Sequence, residues 1–113
     1  MFSSMFGSKK YETITPEEGR RRLQANPGIR LLDVRTPEEY REIHIPHSIS
    51  LPLDRLKSGI EKIVSDRGAE ILVYCLSGAR ADTACRQLTA MGYTRVATMG
   101  GIRSWPYETE RSR

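Results

Sequence analysis

The feature that most constrains this chain lies near its middle. Ile71-Leu72-Val73-Tyr74 is an unbroken apolar run within Glu70 to Cys75, closed by Arg67-Gly68 on one side and a small polar loop on the other. A run this short suits a strand buried on both faces, the kind found in parallel sheets covered by helices. Ile29 to Val34 repeats the pattern between turn residues, while Ser48 to Leu51 and Arg95 to Met99 supply two further brief strands.

Helical signals fill the intervals. Thr15-Pro16-Glu17-Glu18 combines an N-cap, a proline at the first helical position and a glutamate three residues after the cap, a capping box. It opens a helix over Pro16 to Ala25, weakened by Gly19 and stopped by Asn26-Pro27-Gly28. Thr36-Pro37-Glu38-Glu39 repeats the signature, and that helix runs to about Glu42 before His44-Ile45-Pro46 breaks it. From Pro52 to Ser65, Leu53, Leu56, Ile60, Ile63 and Val64 recur at helical spacing, with Gly59 expected to divide two short helices. Ala79 to Met91 carries Ala81, Ala84, Cys85 and Leu88 on one face and ends at Gly92. Strands separated by helices pair in parallel through right-handed crossovers, which gives an α/β fold with an open sheet and helices on both faces. Ligands of such sheets bind beyond the strand C-termini, here the turn after Asp33 and the loop after Cys75.

At 113 residues and 38% hydrophobic, the chain has material for one cored domain. Residues 11–108 are expected to form it, with tails at 1–10 and 109–113. The net charge of +4 comes without a long basic block, so a nucleic-acid partner is not indicated. No apolar run approaches the roughly eighteen residues of a membrane span, and Met1 to Lys10 lacks the regions of a signal peptide. No membrane partner is expected. Two cysteines cannot form a disulfide framework, and Cys75, Cys85, His44 and His47 lack zinc-ligand spacing. The reading is therefore a cytoplasmic protein with no metal.

The chemistry points to Cys75. It ends a buried strand, and Leu76-Ser77-Gly78-Ala79-Arg80 leads from it into a helix. Small residues and a glycine let such a loop curl until its backbone N–H groups converge, and the helix N-terminus adds partial positive charge at the same point. That environment stabilises a thiolate. Arg80, beside the loop, reads as the charge that attracts an anionic donor, the alternative being a surface pair with Glu or Asp. Cys85, on the apolar helix face, reads as a core residue, and His44 and His47 beside a turn read as structural. Arg20-Arg21-Arg22 reads as a solvated helix face, and Trp105 and Met99 as packing for the last strand, with Met99-Gly100-Gly101 as an edge of the active-site rim the alternative.

Taken together, these segments resemble the rhodanese (thiosulfate sulfurtransferase) homology domain of the single-domain type, over Asp33 to Trp105. Asp33-Val34-Arg35, Glu38-Glu39-Tyr40 and His44-Ile45-Pro46 are similar to the family's first signature. Cys75-Leu76-Ser77-Gly78-Ala79-Arg80 resembles its active-site loop, and Leu88, Gly92-Tyr93, Val96, Gly100-Gly101 and Trp105 resemble the downstream pattern. The resemblance implies a single rhodanese-like domain with a central parallel sheet of about five strands. It also implies ping-pong sulfur transfer, in which Cys75 carries a persulfide between half-reactions.

Further site expectations come from the same resemblance. The backbone of Leu76, Ser77, Gly78, Ala79 and Arg80 would cradle the anion, with Arg80 as charge partner and Asp33 and Arg35 in support. The implied donor is thiosulfate, polysulfide or a protein persulfide, and the acceptor cyanide or a thiol. A sulfur-relay protein is a further candidate partner, and no cofactor is implied. The chain departs from the family at Ile43 and His47, where glycines commonly flank the His-Ile-Pro element, and in having no charged residue between Cys75 and Arg80. Related phosphatases and arsenate reductases use a loop one residue longer, and a ring this small suits a single sulfur atom better than a tetrahedral oxyanion. The alternative reading is a non-catalytic binding or regulatory module on the same fold.

Overall fold

The computed structural model describes residues 10–112. Apart from Lys10, the expected N-terminal tail lies outside them, as does Arg113. Five parallel strands form one sheet: β1 (Glu12–Thr13), β2 (Arg30–Asp33), β3 (Ile49–Ser50), β4 (Glu70–Cys75) and β5 (Arg95–Gly101), in the order β1-β5-β4-β2-β3. The helices are α1 (Pro16–Ala25), α2 (Pro37–Glu42), α3 (Leu56–Ile63) and α4 (Ala79–Ala90), joined by 3₁₀ turns at Leu53–Arg55 and Ile102–Ser104. None of the described helices is long and apolar enough to cross a membrane.

Period-two alternation divides the strand side chains between two cores. Leu32, Ile71, Val73, Cys75 and Val96 face α3 and α4, meeting Leu56, Ile60, Ala81, Ala84, Cys85 and Leu88. Leu31, Leu72, Tyr74, Ala97 and Met99 face the other side, where Leu23 of α1, Ile45 and Ile102 cover them. Both faces of β4 are therefore sealed, which is why its sequence reads as a continuous apolar run. Gly19 belongs to this packing, because a Cβ there would overlap Met99 Sδ.

The structure departs from expectation at several points. β1 is a two-residue edge strand held by backbone pairing, continued by Ile14 N–H donating to the Thr98 carbonyl at 2.9 Å. Gly59 does not divide two helices. The break falls between Arg55 and Leu56, and α3 runs through Gly59, whose missing side chain allows close packing, since a Cβ would stand 3.1 Å from Leu51 Cδ1. At Thr15 only half of the expected capping box forms: Thr15 accepts the Glu18 N–H at 3.0 Å, but the Glu18 carboxylate turns to Arg21 and Arg22. The full box forms at Thr36.

β5 runs two residues further than expected, through Gly100-Gly101. Val73 pairs with Thr98 but Cys75 pairs with Gly101, so β5 carries one extra residue, a bulge beside the strand end that bears Cys75. Past the domain end expected at residue 108, the chain is tied down instead of forming a free tail. Glu110 and His44 exchange two backbone hydrogen bonds of 2.8 Å, and Ser112 N–H donates to the Arg41 carbonyl at 2.9 Å.

Candidate active site

Cys75 closes β4 at the C-terminal edge of the sheet, and α4 begins four residues later. The first N–H groups of a helix have no partner within it. Here the Cys75 sulfur takes one of them. Ala81 N–H, in the first turn of α4, donates to Sγ at 3.4 Å, and Gly78 N–H donates at 3.0 Å. The sulfur thus caps the helix and lies at its N-terminus, where negative charge is favoured. The thiol forms the floor of the site, 1% exposed, while Ser77 and Ala79 on the loop above it are exposed.

Glycines make this curl possible. Gly78 adopts φ 122°, which L side chains rarely tolerate, and packs on the Gly100 backbone. On the other side a Cβ on Gly101 would overlap the Leu76 carbonyl and stand 2.6 Å from Ser77 Cα. That carbonyl accepts Arg103 N–H at 3.2 Å. The bulged end of β5 is therefore the wall against which the cysteine loop is formed.

Arg80 leaves α4 toward α2 and meets Glu39 with both terminal nitrogens, at 2.8 and 3.1 Å. Glu39 Oε1 also accepts the Thr36 backbone N–H at 3.0 Å and the Thr36 hydroxyl at 3.1 Å. Arg80 and, secondarily, these Thr36 bonds hold the Glu39 carboxyl down at about 2 despite its partial burial. It is ionised throughout the neutral range, and the pair is neutral as a unit.

Comparison with known proteins agrees with this geometry. The rhodanese-like domain model matches residues 15–107, most of the chain. The chain belongs to the rhodanese-like family. It is 38% identical over 72 residues to thiosulfate sulfurtransferase PspE of Escherichia coli, covering 64% of this chain and 69% of that protein. To a sulfurtransferase of Allochromatium vinosum it is 37% identical over 93 residues, covering 81% and 85%. A solved E. coli rhodanese, described with anions, superposes with a TM-score of 0.70 at 32% identity, over 74% of this chain and 98% of that one. These relatives support a sulfur-transfer function of the rhodanese type for this chain.

Within this rhodanese-like domain the expected site residues separate into two groups. Of the loop expected as a cradle, the Gly78 amide reaches sulfur, and the second donor is Ala81, one residue beyond the expected range. Leu76, Ser77, Ala79 and Arg80 shape the loop and its rim. Asp33 and Arg35 form a buried ion pair, with Arg35 Nη2 at 2.7 Å from Asp33 Oδ2 and 2.6 Å from the Ile43 carbonyl. Arg35 also lies 5.7 Å from the Tyr74 ring centroid. Their support is thus indirect, through the segment that carries Ile45 and through Tyr74, which precedes Cys75. Tyr74 Oη accepts Ile45 N–H and contacts Ser48 Oγ, both at 3.0 Å. Burial first, and the nearby Asp33 charge second, push its hydroxyl well above the usual phenol range, so it remains a neutral strut.

His44 stacks on Tyr40, with ring centroids 3.8 Å apart, and its Nδ1 lies 2.8 Å from the Tyr40 carbonyl. Cys85 is fully buried among the residues covering the α3–α4 face. Two site residues escaped the sequence reading: Ala81 is detectable only as the N3 amide of a helix, and Glu39 was taken up by its capping role. Gly101, whose alternative reading was an edge of the active-site rim, is brought under Leu76 by the β5 bulge.

Proposed function

We propose that the protein moves sulfane sulfur from a donor such as thiosulfate, polysulfide or a protein persulfide to cyanide or a thiol, with Cys75 as the carrier. In the first half-reaction the Cys75 thiolate attacks the outer sulfur of the donor. An S–S bond forms to Cys75, the donor's own sulfur bond breaks, and with thiosulfate the bonding pair leaves on sulfite. In the second, the acceptor attacks the terminal sulfur, the S–S bond breaks, and its electron pair returns to Cys75 as thiolate. Thiocyanate is the product when cyanide accepts. The enzyme alternates between two anions, thiolate and persulfide, and the terminal sulfur stands about 2 Å beyond Sγ, toward the exposed loop.

The observation that carries this reading is the pair of backbone N–H groups converging on Cys75 Sγ at a helix N-terminus. Such donors stabilise both anions without a change of shape between half-reactions. The test is cyanide-dependent thiocyanate release from thiosulfate or polysulfide. Turnover above the uncatalysed rate by the wild type, and none above it by a folded Cys75→Ser variant, is the expected result. Equal release above that rate by the two proteins would overturn Cys75 as the carrier, and none by either would favour the non-catalytic module.

A further inference from the structure

Two ion pairs lie near the sulfur cradle, and each is neutral as a unit. Asp33 and Arg35 neutralise each other in the interior, while the Asp82 carboxylate accepts the Tyr11 hydroxyl at 3.2 Å, a partner that carries no balancing charge. The loop from Leu76 to Ala79 carries no charge. Arg80 is the cation closest in sequence to Cys75, but both its terminal nitrogens are given to Glu39. Glu39 in turn is fixed by Thr36, so the carboxylate does not swing away when a donor arrives.

We infer that Glu39 is a specificity-determining residue which, by occupying Arg80, selects singly charged sulfane-sulfur donors over dianionic ones. The inference rests on the sulfur-transfer reading and names the donor class of that same site. A dianion entering the loop meets a neutral pair with its negative end fixed in place, in a setting where a unit charge a few ångströms away is worth far more than in bulk water. A monoanion meets half that repulsion. Persulfides of small or protein thiols, and thiosulfonates, are donors of the favoured charge. With a thiosulfonate the balance matches that for thiosulfate: Cys75 gains sulfur as persulfide, and a sulfinate leaves with the electron pair.

The test compares thiosulfate with methanethiosulfonate, which presents the same sulfonyl-type leaving group with one charge fewer. Single-turnover loading of Cys75 is followed by intact mass in the wild type, Glu39→Gln and Glu38→Gln. Glutamine preserves the capping box, so Glu39→Gln keeps α2 and the fold. Glu38 neighbours Glu39 on the same helix, its ion-pair partner among the described residues is Arg41 at 3.9 Å, and its substitution changes the net charge equally. The ratio of loading efficiency, thiosulfate to thiosulfonate, should rise roughly tenfold in Glu39→Gln and stay within about twofold in Glu38→Gln. An unchanged ratio in Glu39→Gln, a parallel fall with both donors, or an equal rise in Glu38→Gln overturns the inference while sulfur transfer stands. Failure of both donors to load the wild type overturns the functional reading and the inference together.

Discussion

At the N-terminal ends of β4 and β5 the polar contacts are made by long charged side chains. Arg22 bridges Glu12 at 2.9 Å, Glu18 at 2.8 Å and Glu70 at 3.5 Å, and Arg95 takes the other Glu70 oxygen at 3.1 Å. At the C-terminal end of β4, by contrast, the contacts to Cys75 Sγ come from backbone N–H groups set in place by glycines. Ion pairs at half-exposed positions contribute little each, are screened by salt and tolerate replacement. Backbone donors survive every side-chain substitution except proline, but they move when the chain path moves. Sensitivity at the reactive end should therefore concentrate in residues with no functional group at all.

Gly101→Ala is the sharpest way to break this contrast. Its Cβ has to displace backbone at Leu76 and Ser77, and misplacing a reacting centre by about 1 Å costs on the order of a hundredfold in rate. Steady-state thiocyanate release should fall by roughly that factor, with about 1–3 kcal/mol lost in denaturant unfolding from overpacking. Near wild-type turnover would show that the β5 wall does not hold the loop.

Arg22→Met should do the opposite, leaving sulfur transfer intact while removing about 1–2 kcal/mol, because three carboxylates lose their shared cation. The loss should shrink at high salt. A drop in turnover without unfolding would mean that the two ends are coupled.

A smaller effect is expected from acid. The Glu39 carboxyl is held down at about 2 against an ordinary 4.5, so its contribution to stability is complete above 4.5 and is lost as pH falls toward 2. Over that window the wild type should lose more stability than Glu39→Gln in urea titrations. Equal slopes for the two proteins would remove the Arg80–Glu39 pair from the account.

The smallest effect belongs to His47, which adopts φ 70°, the left-handed region that favours glycine. His47→Gly should relieve left-handed strain and gain about 0.5–1 kcal/mol net of the added freedom of the unfolded chain, with activity unchanged. A measured loss of stability would mean that the imidazole makes a compensating contact.

The contrast between the two ends also explains what was legible in the sequence. The α1 limits and β4 could be read because Thr15-Pro16 and Asn26-Pro27-Gly28 act locally, and because burial on both faces leaves an unbroken apolar run. Cys75 stood out by its place between that run and a helix start. β1 was invisible, since two residues show no period and their pairing is with backbone. Gly59 misled, because a glycine required for closeness to Leu51 looks in sequence like one that breaks a helix. The roles of Gly101 and Ala81 depend on a bulge and a backbone amide, which no side-chain pattern records. Glu39 had two functions, and the local capping box masked its pairing with Arg80, forty-one residues away.

The central claim is that Cys75 Sγ is the atom that receives sulfur, and intact mass tests it most directly. After exposure to thiosulfate or a thiosulfonate and removal of excess donor, the wild type should gain one sulfur atom, lost again on adding cyanide. Cys75→Ser, which retains Cys85, should gain none. A sulfur adduct of equal yield in Cys75→Ser, or a folded wild type with a titratable thiol that gains nothing from either donor, would contradict the account.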